Sequence, residues 1–161
     1  MDYYVNSLFK KEIIVSPPLK SPIMKSFIDA DNKTIGKEVE DQFTLLISAI
    51  NQSNAEAWQE FYSRDQFLSA IVNTDQYATR SAWVDTITSY FSMREGQQVE
   101  PFDVHVTALT PDLALLTSQE SCEMWPKDGK NVKLKHVFTM LWKKEPEGWK
   151  ILHSHESWVE E

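Results

Sequence analysis

The sequence predicts an α+β domain in which helices pack on one face of a curved antiparallel sheet. Three observations carry that prediction. Val39, Phe43, Leu46, Ile47, Ile50, Ala57, Trp58 and Phe61 recur at three- and four-residue intervals, the spacing of one helix face. Residues 78–93 repeat the pattern with Trp83, Ile87, Tyr90 and Phe91. From about residue 99 onward apolar and polar residues alternate, broken only by short Pro- and Gly-containing turns, the pattern of a β-meander. Helices first and strands afterwards make the class α+β.

The elements follow in order. Residues 1–34 contain Pro17, Pro18 and Pro22, which forbid a continuous helix. They are expected to form an extended arm, with one short helix or strand near residues 3–15; the alternative is a lid over a pocket. The domain proper spans 35–161. Its first helix is interrupted at Asn51-Gln52-Ser53-Asn54, where Ser53 with Glu56 three residues on reads as a capping box opening a new helical segment. Residues 66–72 suit a short strand. The helix over 78–93 is expected to stop at Gly96. Four strands follow at about 99–109, 112–125, 131–144 and 148–159, joined by turns at Thr110-Pro111, Pro126-Lys127-Asp128-Gly129 and Glu145-Pro146-Glu147-Gly148.

Composition narrows the function classes. The chain of 161 residues fits one domain. Its formal charge of −8, with no basic stripe, disfavours nucleic acid and anionic membranes, since neutralising phosphate supplies most of such affinity. The one cysteine, Cys122, excludes an intramolecular disulfide and any multi-cysteine metal site; it reads as a buried structural thiol. No run approaches the roughly 20 apolar residues of a membrane span, and the run at Ile13-Ile14-Val15 is too short for a signal-peptide core, so a cytoplasmic location is expected. Four scattered glycines allow no phosphate-cradling loop, and no nucleophile elbow or zinc-protease motif occurs. No cofactor and no metal are expected.

The hairpin from Phe138 to Trp158 holds three tryptophans, two of the four histidines and Glu156. Its closing residues, Trp142, Gly148-Trp149-Lys150-Ile151 and His153-Ser154-His155-Glu156-Ser157, resemble the C-terminal signature of the nuclear transport factor 2-like superfamily. Within it the chain is similar to SnoaL-like domains and to the association domain of calcium/calmodulin-dependent protein kinase II. Pro111-Asp112-Leu113-Ala114 at a strand start fits as well. The resemblance covers about residues 36–160. It implies a cone whose concave sheet face and helices enclose a pocket, and an outer face that forms a homodimer. The superfamily includes isomerases, cyclases, dehydratases, binding proteins and oligomerisation hubs, so fold alone selects no reaction.

Strand alternation divides the candidates between two faces. In the third long strand Val132, Leu134, His136, Phe138, Met140 and Trp142 share the apolar face, with His136 its only ionisable member. In the second, the face with Glu120, Cys122 and Met124 is preferred for the pocket. In the fourth, Leu152, Ser154, Glu156 and Trp158 oppose Trp149, Ile151, His153, His155 and Ser157. Similarity to the kinase association domain places Met140 and Glu156 where that family has pocket arginines. It thereby turns the Glu156 face inward and makes a small neutral hydrophobic molecule the expected partner. His153 and His155 then lie on the convex face. His105 either joins Asp103 in the pocket or is exposed. The expected pocket comprises Trp58, Tyr62, Trp83, Phe138, Met140, Glu156 and Trp158.

A base in an apolar cavity and donors to an enolate oxygen are what an isomerase, cyclase or dehydratase requires. Glu156, His136 and Glu120 are the base candidates. Tyr62, Tyr77, Tyr90 and Trp58 are candidate donors or stacking walls. A small-molecule-binding domain with an aromatic-lined pocket is the leading expectation. A proton-transfer enzyme is the second and an oligomerisation module the third.

Overall fold

The computed structural model describes residues 22–66 and 68–161, with side chains described from Asn32 onward. The element order is α1 (Pro22–Asn51), α2 (Ala55–Gln59), β1 (Ser69–Val72), β2 (Asp75–Tyr77), α3 (Arg80–Ser92), β3 (Arg94–Thr110), β4 (Leu113–Pro126), β5 (Val132–Glu145) and β6 (Gly148–Glu160). The six strands form one open, curved sheet in the order β2-β1-β6-β5-β4-β3. All neighbours are antiparallel except β1, which runs parallel to β6. The fold class is therefore the α+β arrangement that the sequence predicts.

Helix α1 starts at Pro22, so residues 22–34 continue the helix into the stretch expected to be an extended arm. Pro22 opens the helix, and the first turn is where proline is tolerated because its missing N–H has no helical partner there. The short element expected near residues 3–15 lies outside the described residues. Ile35, Val39, Phe43, Leu46, Ile47 and Ile50 form the buried face of α1.

The end of α1 corrects the expected capping box. Ser53 takes the left-handed conformation, with φ +50°. Its N–H donates to the Ile50 carbonyl at 2.9 Å, and the Asn54 N–H donates to the Ala49 carbonyl at 3.0 Å. That pair of bonds is a Schellman closure, with serine where glycine is usual. Ser53 is thus spent on ending α1, and Asn54 becomes the N-cap of α2, accepting from the Ala57 N–H at 3.0 Å.

Gly96 is likewise not the stop of α3. The helix is closed by Met93, and β3 starts at Arg94, ahead of the expected residue 99. Gly96 lies within β3 at a bulge, where a Cβ would come within 3.0 Å of the Trp125 ring. Its smallness admits that ring. The three-residue strand β2 was not foreseen, being too short and polar to alternate visibly.

The β5 inner face is as predicted: Leu134, Phe138, Met140 and Trp142 are buried, and His136 is partly so. The last strand is more complicated. Trp142 pairs with Ile151 but Leu141 pairs with His153, so Leu152 is an extra residue. This bulge reverses the alternation. Trp149 and Ile151 before it, and Ser154 after it, are all buried, whereas alternation without a bulge puts Trp149 and Ile151 on the opposite face from Ser154.

The β5–β6 turn is tied to the helices. Glu38 on α1 accepts from Lys144 Nζ at 2.8 Å and from Trp149 Nε1 at 2.7 Å. Ser63 donates to Glu145 at 2.5 Å. Gly148 closes the turn at φ +113° with open space around its Cα, so backbone strain alone sets the effect of a side chain there. Gly148→Ala is expected to cost about 1–2 kcal/mol, read as a lower midpoint at unchanged slope in urea unfolding.

Candidate functional site

Helices α1, α2 and α3 and the concave sheet face enclose a cavity of about 270 Å³. Its aromatic wall is a continuous cluster. The Trp58 ring lies 4.7 Å from Tyr62, 5.7 Å from Trp83 and 6.2 Å from Phe91, and Tyr77 backs Trp83 at 5.2 Å. Trp58 stands on α2, Tyr62 just beyond its end, Tyr77 on β2, and Trp83 and Phe91 on the buried face of α3. The sheet floor supplies Leu134, His136, Phe138, Met140, Glu156 and Trp158. All seven residues expected to line the pocket border this cavity, as do Tyr90 and Cys122.

The three ionisable candidates are brought together by register. Glu120 on β4 sits directly opposite His136 on β5. His136 in turn sits opposite Trp158 on β6, and Glu156 sits opposite Phe138. Glu156 and His136 are therefore diagonal neighbours on one sheet face. Glu120 is fully buried; its Oε1 accepts from the Ser118 hydroxyl. Its Oε2 stands 3.9 Å from His136 Nδ1, and neither atom has a hydrogen-bond partner among the described residues. The edge of the His136 ring contacts Phe138 at 5.7 Å between centroids.

Burial sets the protonation states. Desolvation pushes the His136 ring down to about 4, aided by the positive charge of Arg94. Desolvation pushes Glu120 up to about 7, against the bond from Ser118. It pushes Glu156 up to about 8, reinforced by Glu120 and opposed by Arg94. In each case the low-dielectric cavity disfavours the charged form. At neutral pH the site thus holds an unprotonated imidazole beside a largely protonated Glu156. The 3.9 Å approach of Glu120 and His136 is accordingly not an ion pair in the resting protein.

Arg94 is the ionisable cavity residue that sequence reasoning missed. It lines the cavity from the start of β3. Its Nε–H donates to the Tyr90 carbonyl at 2.9 Å, and one Nη1–H donates to Gln97. Gln97 is buried and donates in turn to the Ile50 carbonyl at 2.6 Å. The remaining guanidinium N–H groups have no partner among the described residues, and the group lies about 6 Å from the Tyr90 and Phe91 rings. Desolvation draws its pKa below the usual arginine value. A three-residue step beyond Phe91, which helical periodicity also allows, lands on Arg94, the signal that could have found it. Met140 and Glu156 occupy the floor as the resemblance implied, yet the cavity keeps one guanidinium.

Of the other candidates, Tyr62 and Cys122 border the cavity and the remaining histidines do not. Tyr62 is buried, with its hydroxyl 3.4 Å from Ser154. Burial raises its pKa above the ordinary tyrosine value. Its hydroxyl is therefore a neutral donor. Cys122 is buried as expected, and desolvation lifts its thiol to about 11, so it contributes no thiolate. His105 is exposed, 2.9 Å from Asp103, outside the cavity. His153 faces Ser69 at 2.8 Å and His155 faces Ser157; among the described residues no third metal-ligating side chain joins them. No helix among the described residues is long and apolar enough to cross a membrane.

Similarity to known proteins agrees with this architecture. One solved structure similar to the chain is a candidate dehydratase of the NTF2-like family from Streptomyces avermitilis, with TM-score 0.70 and 22% identity over 79% of this chain and 97% of that one. A nuclear transport factor 2-like superfamily protein from Salmonella enterica superposes with TM-score 0.71 and 13% identity over 78% and 91%. A candidate calcium/calmodulin-dependent protein kinase II association domain from Xanthomonas campestris does so with TM-score 0.66 and 18% identity over 76% and 86%. At such identities they establish the nuclear transport factor 2-like fold. No curated protein sequence matches the chain. The SnoaL-like domain family matches residues 39–160, from the buried face of α1 to the end of β6, and the chain belongs to that family.

Proposed function

We propose that this SnoaL-like domain binds a small, neutral, mostly apolar carbonyl compound in its cavity and catalyses proton transfer on it, as an isomerase or dehydratase. One observation carries the reading: a neutral imidazole and a protonated carboxyl, His136 and Glu156, border the same aromatic cavity. Pairs of titratable groups whose environments push their protonation apart are how a fold assigns base and acid. His136 Nδ1 and Glu120 Oε2 stand 3.9 Å apart in the resting protein; on substrate binding Glu120 closes on Nδ1–H and leaves Nε2 as the base, since catalytic hydrogen bonds are often long before substrate binds.

His136 takes a proton from the carbon next to the carbonyl, and the electron pair moves onto the carbonyl oxygen. The Glu156 hydroxyl and the free N–H groups of Arg94 stabilise that oxyanion. Returning the proton to a different carbon gives an isomer. Expelling a β-hydroxyl with a proton from Glu156 gives water and an unsaturated carbonyl, and the proton taken up by His136 then passes to Glu156 and restores both groups. The dehydratase name carried by the Streptomyces relative supports the second outcome.

Binding without turnover is the second reading, favoured by the 3.9 Å separation of His136 and Glu120, which is outside hydrogen-bond range. The deciding experiment is a thermal-shift screen of neutral aryl and cyclic ketones, followed by incubation of each hit in D2O. Wild type is expected to incorporate deuterium next to the carbonyl, and Glu156→Gln to bind the same hit while exchanging about 10–10²-fold more slowly. A hit that binds wild type but never exchanges reduces the protein to a binding domain. A hit indifferent to Glu156→Gln in both assays removes Glu156 from the site.

A further inference from the structure

We propose that Asn73 is a positioning residue of the cavity, strapping the end of β6 so that Glu156 and Trp158 are held against its floor. The kinetic consequence rests on the proton-transfer reading; the structural consequence does not.

The need for a strap follows from the sheet topology. Strand β1 covers one edge of β6 from His153 to Glu156, ending with Val72 opposite Glu156. Beyond that point only β5 pairs with β6, through Ser157, Trp158, Val159 and Glu160. A strand end held on one edge frays readily, because few bonds must break together. Yet this end carries two cavity residues, Glu156 and Trp158, and Trp158 lies directly across from His136.

Asn73 supplies the missing contacts. It adopts φ +52°, a left-handed conformation that asparagine tolerates better than most non-glycine residues. That turn aims its N–H at the Glu156 carbonyl, 2.8 Å away. It also brings its side-chain Oδ1 to the Trp158 N–H at 3.0 Å. One residue thus grips both sides of Ser157, spanning the two positions that border the cavity, with Trp158 at its rim and 39% exposed. Asparagine meets both demands: glycine would allow the conformation without the acceptor, and alanine would supply neither. Asn73 is itself exposed, so its replacement opens no core.

The environment of Glu156 depends on that grip. Its carboxyl is affected by Glu120 from β4 and by Arg94 from β3, and His136 is its diagonal neighbour on β5. If the strand end loosens, water reaches the carboxyl, and its titration moves toward that of an ordinary glutamate.

The test compares Asn73→Gly and Asn73→Asp, which both accept the left-handed turn but of which only the second keeps an acceptor. Amide exchange followed by NMR is expected to be about tenfold faster at Trp158 N–H in Asn73→Gly, the loss of one hydrogen bond. Protection at Ser154 and His155 should stay unchanged, and Asn73→Asp should restore it at Trp158. In the same samples the 13C titration of the Glu156 carboxyl should move down by about one unit in Asn73→Gly, and not in Asn73→Asp. Unchanged exchange at Trp158, or an unmoved Glu156 titration, overturns the proposal. Where a ketone is turned over, Asn73→Gly should lower kcat with the basic limb of the pH profile displaced to lower pH. A wild type without turnover defeats the proton-transfer reading while both NMR readouts still decide the role of Asn73.

Discussion

His136→Gln is expected to lower turnover of any enolisable ketone accepted by the cavity by about 10²–10⁴-fold, the usual contribution of a positioned general base. Glutamine keeps the polar length of the side chain and can still donate to Glu120, so the fold should survive. What it removes is the lone pair that accepts the proton. Because that interaction matures in the transition state, kcat should fall while KM stays close to the wild-type value. Glu120→Gln should have a smaller effect, about tenfold, since it only orients the ring. Steady-state kinetics of the two variants, with melting curves as a control, check both numbers. Turnover by His136→Gln within about twofold of wild type would remove the imidazole from the reaction.

The placement of His136 was legible because β5 is uninterrupted. Six alternating residues from Val132 to Trp142 are apolar except for one, so the inner face could be named from period two alone. Glu120 was also legible, one strand over. The end of β6 was not legible from alternation. The extra residue at Leu152 leaves no composition signal, and it returns Trp149 and Ile151 to the same side as Ser154. Only the resemblance to a known family placed Glu156 correctly.

Local signals misled where tertiary contacts outbid them. Ser53 looked like a cap because serine favours that role. It instead ends α1 in the left-handed region, and its neighbour Asn54 does the capping. Gly96 looked like a helix stop because glycine favours that role, but it makes room for Trp125 across the sheet. Arg94 was hidden for a related reason. The strand expected from about residue 99 starts at Arg94, so a cavity residue falls in what the sequence predicts to be a connection.

Stability is expected to fall as pH rises from 6.5 to 8.5, and Glu156→Gln is expected to be more stable than wild type at the upper end. The sign follows from proton counting. Glu156 holds its proton to about 8 in the folded chain against an ordinary value of 4.5, and Glu120 holds its own to about 7. Each raised carboxyl contributes stability that is complete below the unfolded value and lost as pH climbs through the folded one. His136 works the other way. Its folded value of about 4 lies below the ordinary 6.5, so its contribution is present above 6.5 and lost as pH falls through 4. Between pH 4.5 and 6.5 the imidazole offsets one carboxyl. Above 6.5 the carboxyls act alone, each with a slope of up to ~1.4 kcal/mol per pH unit until it titrates in the folded chain. Wild type should lose about 2 kcal/mol between pH 6.5 and 8.5, read by urea unfolding at each pH. Glu156→Gln should lose less, and the two curves should cross. The difference between the two slopes also separates two roles for Glu156. A carboxylate paired with Arg94 would titrate below 4.5 and leave only Glu120 to titrate over this range, so Glu156→Gln would follow the same slope as wild type. Parallel stability curves for wild type and Glu156→Gln between pH 6.5 and 8.5 would therefore make Glu156 a charged structural partner of Arg94, and would leave the proposed reaction without its acid.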